Sequence, residues 1–317
     1  MRPNGREEIL EWEGRWLTLA GLAALIGVAL IVASAFVISG IGGEGDAELL
    51  RSVDEHSSSV TFSSLLQAAG FAFLVVPLLV LFRAAAARSD RVRYQLIGLV
   101  VAAPLFLSVS AVFSAVATNE AASDFVAGKI EPGITAKAAA EDCRSEQEDL
   151  GAEEFGEDFG GGSPAAALKR CSATKVADET AADAIGEAST RGLATGFGLG
   201  GRLGLAVALL YSSLWAMRTG LLTRFWGSLG MALGVAALLL RVEFTTIFFL
   251  YLAFLMLGKV PGGRPPAWAA GEAVPWPTPG EKAASELEPG DSEEPASTGS
   301  GEPTGNGGER RKRKQRD

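Results

Sequence analysis

The chain holds one histidine, two cysteines and three tyrosines in 317 residues. Each shortage removes a class of chemistry. The one imidazole, His56, sits beside Ser57, Ser58 and Ser59, and reads as a solvated loop residue rather than the base of a nucleophilic pair. Two thiols and one distant histidine supply too few ligands for zinc. Two cysteines also exclude a disulfide-dense secreted module. No Walker-type glycine loop ending in Lys-Ser/Thr occurs, and no dinucleotide fingerprint in a strand–helix setting. No metal, no cofactor and no enzymatic activity are expected.

Charge is scarce as well, at 21% of residues, and it is unevenly placed. The 48% of hydrophobic residues gather into six blocks, with the charges in the gaps and at the ends. Blocks at 17–41, 60–82, 94–117 and 193–216 each reach the ~20 residues needed to cross about 30 Å of hydrocarbon as a helix. Only a helix satisfies a lone span's backbone in lipid, and Pro77 and Pro104 inside such spans imply kinks rather than breaks. Two further blocks are short. Residues 225–240 would span roughly 24 Å and residues 244–257 less, with only Arg241, Val242 and Glu243 between them. They form either a tight hairpin with snorkelling ends or a segment that dips in and returns. The expected fold is all-α: a polytopic transmembrane bundle of six spans with a small helical external loop.

Arginine and lysine fix the expected direction of threading. Arg2, Arg6 and Arg15 precede the first span; Arg83, Arg88, Arg91 and Arg93 separate the second from the third. Arg218 and Arg224 lie between the fourth and fifth, and Lys259 and Arg264 follow the sixth. The opposite loops offer Arg51 and Arg241. Both termini are therefore expected on the cytoplasmic side of the cell membrane. Residues 1–16 carry Glu7, Glu8, Glu11 and Glu13 and do not resemble a cleaved signal peptide. Ile9, Trp12 and Trp16 recur at helical spacing, so this segment is either a short interfacial helix or a solvated stub.

Residues 118–192 form the long external loop, with 16 acidic residues against seven basic ones. Long loops translocate largely regardless of charge. Both cysteines, Cys143 and Cys171, fall here, where thiols oxidise, so one intramolecular disulfide is expected. Closing a loop of that size stabilises by about 3–4 kcal/mol in the chain-entropy view. Residues 134–154 and 165–189 read as helices around a Gly160-Gly161-Gly162-Ser163-Pro164 turn, giving a clamped helical hairpin. The acid run from Glu153 to Asp158 lacks the ligand spacing of a calcium loop and reads as a solvated face.

Residues 259–317 form the cytoplasmic tail. From Pro261 onward Pro, Gly, Ser and Glu dominate, which predicts disorder. Residues 281–309 hold eight acids against Lys282, and a basic run from Arg310 to Arg316 ends the chain. That run suits either a loose tether to anionic lipid or a plain topology and solubility signal. With no interleaved aromatics and a sequence pI near 4.9, nucleic acid is not an expected partner.

Within the spans no Asp or Glu occurs, which argues against proton- or sodium-coupled transport. Arg202 is the one charge well inside an apolar block. It is a candidate polar site together with Gln67, or else an arginine that snorkels outward. Gly196, Gly200 and Gly204, and then Gly230 and Gly234, repeat at intervals of four, a spacing that brings helices close within a bundle or a homo-oligomer.

Two stretches, 216–230 (Ala216, Met217, Arg218, Thr219, Gly220 onward) and 258–277 (Gly258, Lys259, Val260, Pro261 through Trp268, Trp276 and Pro277), resemble an uncharacterised family of multipass membrane proteins from high-GC actinobacteria. The resemblance covers about the last third of the chain, and it carries no activity and no site residue. It places Trp268 and Trp276 at the inner interface. The function that fits these features is non-enzymatic: a structural or interaction protein of the membrane that meets a partner through its external loop. The alternative is a small-solute permease or channel-like carrier using Arg202 and Gln67.

Overall fold

A computed structural model of the protein describes residues 5–159 and 163–277. Among the described residues there is no strand. Four helices are long and apolar enough to cross a membrane, as expected of an integral membrane protein. They are α1 (Arg6–Ile38), α3 (Ser57–Arg88), α4 (Ile97–Val126, led by a 3-10 turn at Tyr94–Leu96) and α8 (Arg191–Arg218). Two shorter apolar helices follow, α9 (Arg224–Leu239) and α10 (Thr245–Met256).

These six helices close a ring in which α1 lies between α3 and α10, α4 between α3 and α8, and α9 between α8 and α10. Lipid offers apolar side chains no gain on burial, so close backbone approach must hold such a ring. Small residues supply it. A Cβ on Gly27 of α1 would come within 2.9 Å of the Gly70 carbonyl of α3, and a Cβ on Gly70 within the same distance of the Gly27 carbonyl. Two turns away Ser63 Oγ donates to the Ser34 carbonyl at 2.9 Å. Gly21 packs α1 onto Leu257 and Ala253 on the α10 side. α10 is the most enclosed element, with Phe248, Phe249, Leu252 and Leu255 fully buried. Pro77 and Pro104 lie within continuous helices, as expected.

α1 departs from the anticipated layout. Residues 6–16 are not a separate interfacial helix but the first turns of α1, which runs 33 residues without a break. No proline interrupts 6–38, and Glu7 and Glu8 suit the first helical turn. At about 50 Å the helix outreaches the hydrocarbon and carries Glu13 into a protein-lined environment.

One end of the ring bears a helical cap. α2 (Asp46–Glu55) turns Ala47, Leu50 and Val53 onto Ala117, Ala121 and Ala122 of α4 and onto Ala181 and Ala184 of α7 (Pro164–Glu187). Asp178 of α7 accepts the Ala47 N–H at 3.0 Å and so caps α2 from outside. α5 (Ala136–Leu150) and α7 form the hairpin, with α6 (Ala152–Asp158) between them. Thr135 and Ser163 cap the two hairpin helices through their side chains. The Gly160-Gly161-Gly162 part of the expected turn lies outside the described residues, as does the tail from 278 onward.

The opposite end is a clasp. Residues read above as disordered are ordered here up to Trp276: a turn of helix, α11 (Pro266–Ala270), and the strand-like run after it dock on the bundle. Trp268 is 5% exposed and donates through Nε1 to the Leu221 carbonyl at 2.9 Å; Trp276 does the same to Leu222 at 2.8 Å. Neither sits free at an interface. Composition signals disorder through the want of aliphatics, but two indoles with paired N–H groups supply the missing buried surface.

Candidate functional site

α8 packs against α9 on one face and against α4 on another. Gly227 meets Met217, Gly230 meets Ser213 and Gly234 meets the Ala206 carbonyl, so α9 climbs one stripe of α8. α9 stops at Leu239. The next position on that stripe is Arg202, and α9 ends before covering it. On the adjoining face, α8 packs on α4 through Gly204 on Ala103, Gly201 on Leu107 and Gly198 on Ser110.

Above these contacts α4 and α8 part around a groove of about 340 Å³. Ser110, Ser114 and Thr118 line it from α4, and Arg191, Thr195 and Arg202 from α8. No Asp or Glu lines it. Ser110 Oγ donates to the Ala194 carbonyl at 2.8 Å and Thr118 Oγ1 to the Ser114 carbonyl at 2.8 Å. The hydroxyls of Ser114 and Thr195 and the guanidinium groups of Arg191 and Arg202 have no hydrogen-bond or ion-pair partner among the described residues. Arg202 is exposed, beside the exposed Leu199 and Leu203. The side chains of a helix lean toward its N-terminus, which on α8 is the cap end, so Arg202 is directed away from the middle of the ring.

The anticipated residues divide between places. Arg202 lines the groove; Gln67 is half-buried on α3 and does not line it. Glu243, at the turn between α9 and α10, makes no ion pair with Arg202. A side chain at Gly196 would meet nothing, Gly200 lies near Phe106, and Gly204, Gly230 and Gly234 make close contacts. The α8 residues facing α4 are 194, 198, 201 and 204, at intervals of four, three and three, because a strict interval of four drifts round a helix of 3.6 residues per turn. Cys143 and Cys171 form a disulfide with Cα atoms 6.1 Å apart, buried with Phe155 and Ala167. His56 joins α2 to α3, its Nδ1 2.9 Å from the Ser52 carbonyl. Among the described residues no three His, Cys, Asp or Glu side chains group to hold a metal.

The sequence reading missed the clasp's center. Arg88, counted there as a loop charge, is buried in the last turn of α3 and pairs with Glu13 of α1 through both guanidinium nitrogens. Its Nε and Nη2 donate to the Ala267 carbonyl at 3.2 and 2.9 Å, and it lies 5.6 Å from the Trp268 ring centroid. Arg83 stacks over Trp12 at 4.7 Å. Gly220, at φ +78°, lies against the Val274 carbonyl, and Val274 N–H donates to Thr219. Nothing local in the sequence joins residues 13, 88 and 267. The groove did leave a trace: 110, 114 and 118 fall on one face of α4.

No protein-family model, curated protein or solved structure matches the chain.

Proposed function

We propose that the chain is a six-span protein of the cytoplasmic membrane, non-enzymatic, with both termini cytoplasmic and the cap meeting an extracytoplasmic protein partner. The carrying observation is the disulfide-tied, acid-rich cap, packed as a unit on α2 and α4. Its hairpin exposes Glu141, Asp142, Glu148 and Asp149 on α5, a charged face that no intramolecular packing explains. The α9–α10 hairpin would complete the span count: α10 buries Phe248, Phe249, Leu252 and Leu255 in the ring and exposes Ile247, Leu250 and Phe254 as an apolar outer face suited to lipid. The actinobacterial resemblance fits this class, since the residues that carry it make the clasp.

A carrier is the second reading, favoured by the groove at Arg202. The contacts of Gly201 with Leu107 and Gly204 with Ala103 close α4 against α8 directly below the groove, so it leads nowhere in this conformation. The interaction reading is preferred on that ground. A photo-crosslinking amino acid at Glu148, in cells expressing the full chain, tests it. One discrete protein adduct, absent when the same group replaces the exposed Phe36, is expected; no adduct from Glu148, Asp149 or Glu141 overturns it.

A further inference from the structure

We propose that the groove between α4 and α8 binds the phosphate headgroup of an anionic membrane lipid. The assignment rests on the reading of this bundle as membrane-embedded. Four donors converge there without acceptors: the guanidinium groups of Arg191 and Arg202 and the hydroxyls of Ser114 and Thr195. A cation beside apolar surface is costly to desolvate unless something neutralises it. No carboxylate lines the groove to do so. Arginine matches phosphate oxygens with a planar fork of N–H groups, and the hydroxyls add neutral donors.

The position selects a lipid over a soluble anion. Arg202 lies about 24 Å along α8 from Arg218, which sets it near the outer boundary of a ~30 Å hydrocarbon layer. Its guanidinium leans further outward, to headgroup depth. The groove opens beside Leu199 and Leu203, 54% and 52% exposed, with the exposed Val207 one turn below. An acyl chain descending from the bound headgroup meets that apolar strip. A soluble phosphate has no use for it.

Arg202 stays uncovered on the α9 side because α9 ends at Leu239. One more turn of α9 would cover Arg202. The shortness of this hairpin thus leaves the Arg202 side chain free for the headgroup in the groove between α4 and α8.

The test uses the full chain reconstituted in phosphatidylcholine nanodiscs doped with phosphatidylglycerol, with the lipids that stay on the protein counted by native mass spectrometry. Phosphatidylglycerol is expected to be enriched over its share of the disc. Arg202→Gln should lower that enrichment about tenfold, the loss of one charge-assisted contact, and adding Arg191→Gln should abolish it. Arg241→Gln, at the exposed hairpin tip outside the groove, should leave it unchanged. Equal enrichment in wild type and Arg202→Gln, or an equal loss in Arg241→Gln, overturns the proposal. Should Arg202→Gln not fold, Arg202→Lys is read instead: it should keep part of the enrichment, and full wild-type enrichment in an Arg191→Gln/Arg202→Lys protein overturns the site. In a second arm, millimolar inorganic phosphate that strips phosphatidylglycerol from the wild type overturns the lipid assignment in favour of a soluble anion. Recovery of the protein from lysed cells without detergent would instead refute the membrane embedding.

Discussion

Glu13 and Arg88, 75 positions apart, form an ion pair with side chains 2% and 0% exposed, and the same guanidinium holds the carbonyl of Ala267. Three elements remote in sequence, α1, α3 and α11, thereby meet on one cation. Two buried charges are costly to desolvate, and only mutual neutralisation with further hydrogen bonds offsets the cost.

Removing one partner should therefore hurt more than removing both. Glu13→Gln or Arg88→Met is expected to destabilise by about 3–5 kcal/mol, since each strands a buried charge or buried acceptors. Glu13→Leu with Arg88→Met should recover part of the loss, but not all, because the Ala267 carbonyl stays unpaired. Thermal unfolding in detergent, followed by tryptophan fluorescence, reads the cycle; additive losses would refute the coupling.

Gly220→Ala should open the clasp. The φ of +78° strains any residue with a Cβ, and the Val274 carbonyl lies 2.0 Å from where that Cβ would be. Trp268 and Trp276 should then leave their sites, shifting tryptophan emission to the red and exposing 266–276 to protease. Unchanged emission and protection would count against the clasp as drawn.

Cys143→Ser should loosen the cap and spare the ring. The loss, roughly 3–4 kcal/mol in the chain-entropy view, falls on α5–α7, which share the small core of Cys143, Phe155, Ala167 and Cys171. Limited proteolysis should cut between 150 and 164 many times faster, with the main thermal transition of the bundle unmoved. The Lys175–Glu146 pair at 2.9 Å is half-buried, and its removal should cost about 1 kcal/mol.

Glycines on α1 and α8 should differ sharply in tolerance. Gly27→Val must push α1 off Gly70, and loss of monodisperse protein on size exclusion is expected. Gly196→Val meets open space and should behave as wild type in the same assay.

Threading can be tested with exposed single positions, since Cys143 and Cys171 are occupied by each other. Arg91→Cys is expected to be shielded from an impermeant maleimide applied to intact cells, whereas Ser163→Cys and Arg241→Cys are labelled. Labelling of Arg91→Cys and Ser163→Cys from one side would sink the six-span reading, and so would a shielded Arg241→Cys.

The four long apolar helices were legible because a hydrocarbon solvent demands length and apolarity of a crossing helix, and α1, α3, α4 and α8 each show both within their own residues. The disulfide was equally legible, since two cysteines allow one pairing. α2 was not anticipated: its stripe of Ala47, Leu50 and Val53 is short, and its cap comes from Asp178, far along the chain.

Sequence by itself determined which segments are greasy and helical and where the thiols must meet, for these follow from local pattern and count. Tertiary structure alone decided that Arg88 is a buried hub rather than a loop charge, that the Pro-rich start of the tail folds, and that Arg202 opens onto a groove instead of a neighbour. The physical reason is shared. Each outcome depends on what lies opposite a side chain, and contacts such as Glu13 with Arg88, or Ser110 with Ala194, join residues with no periodic relation along the chain.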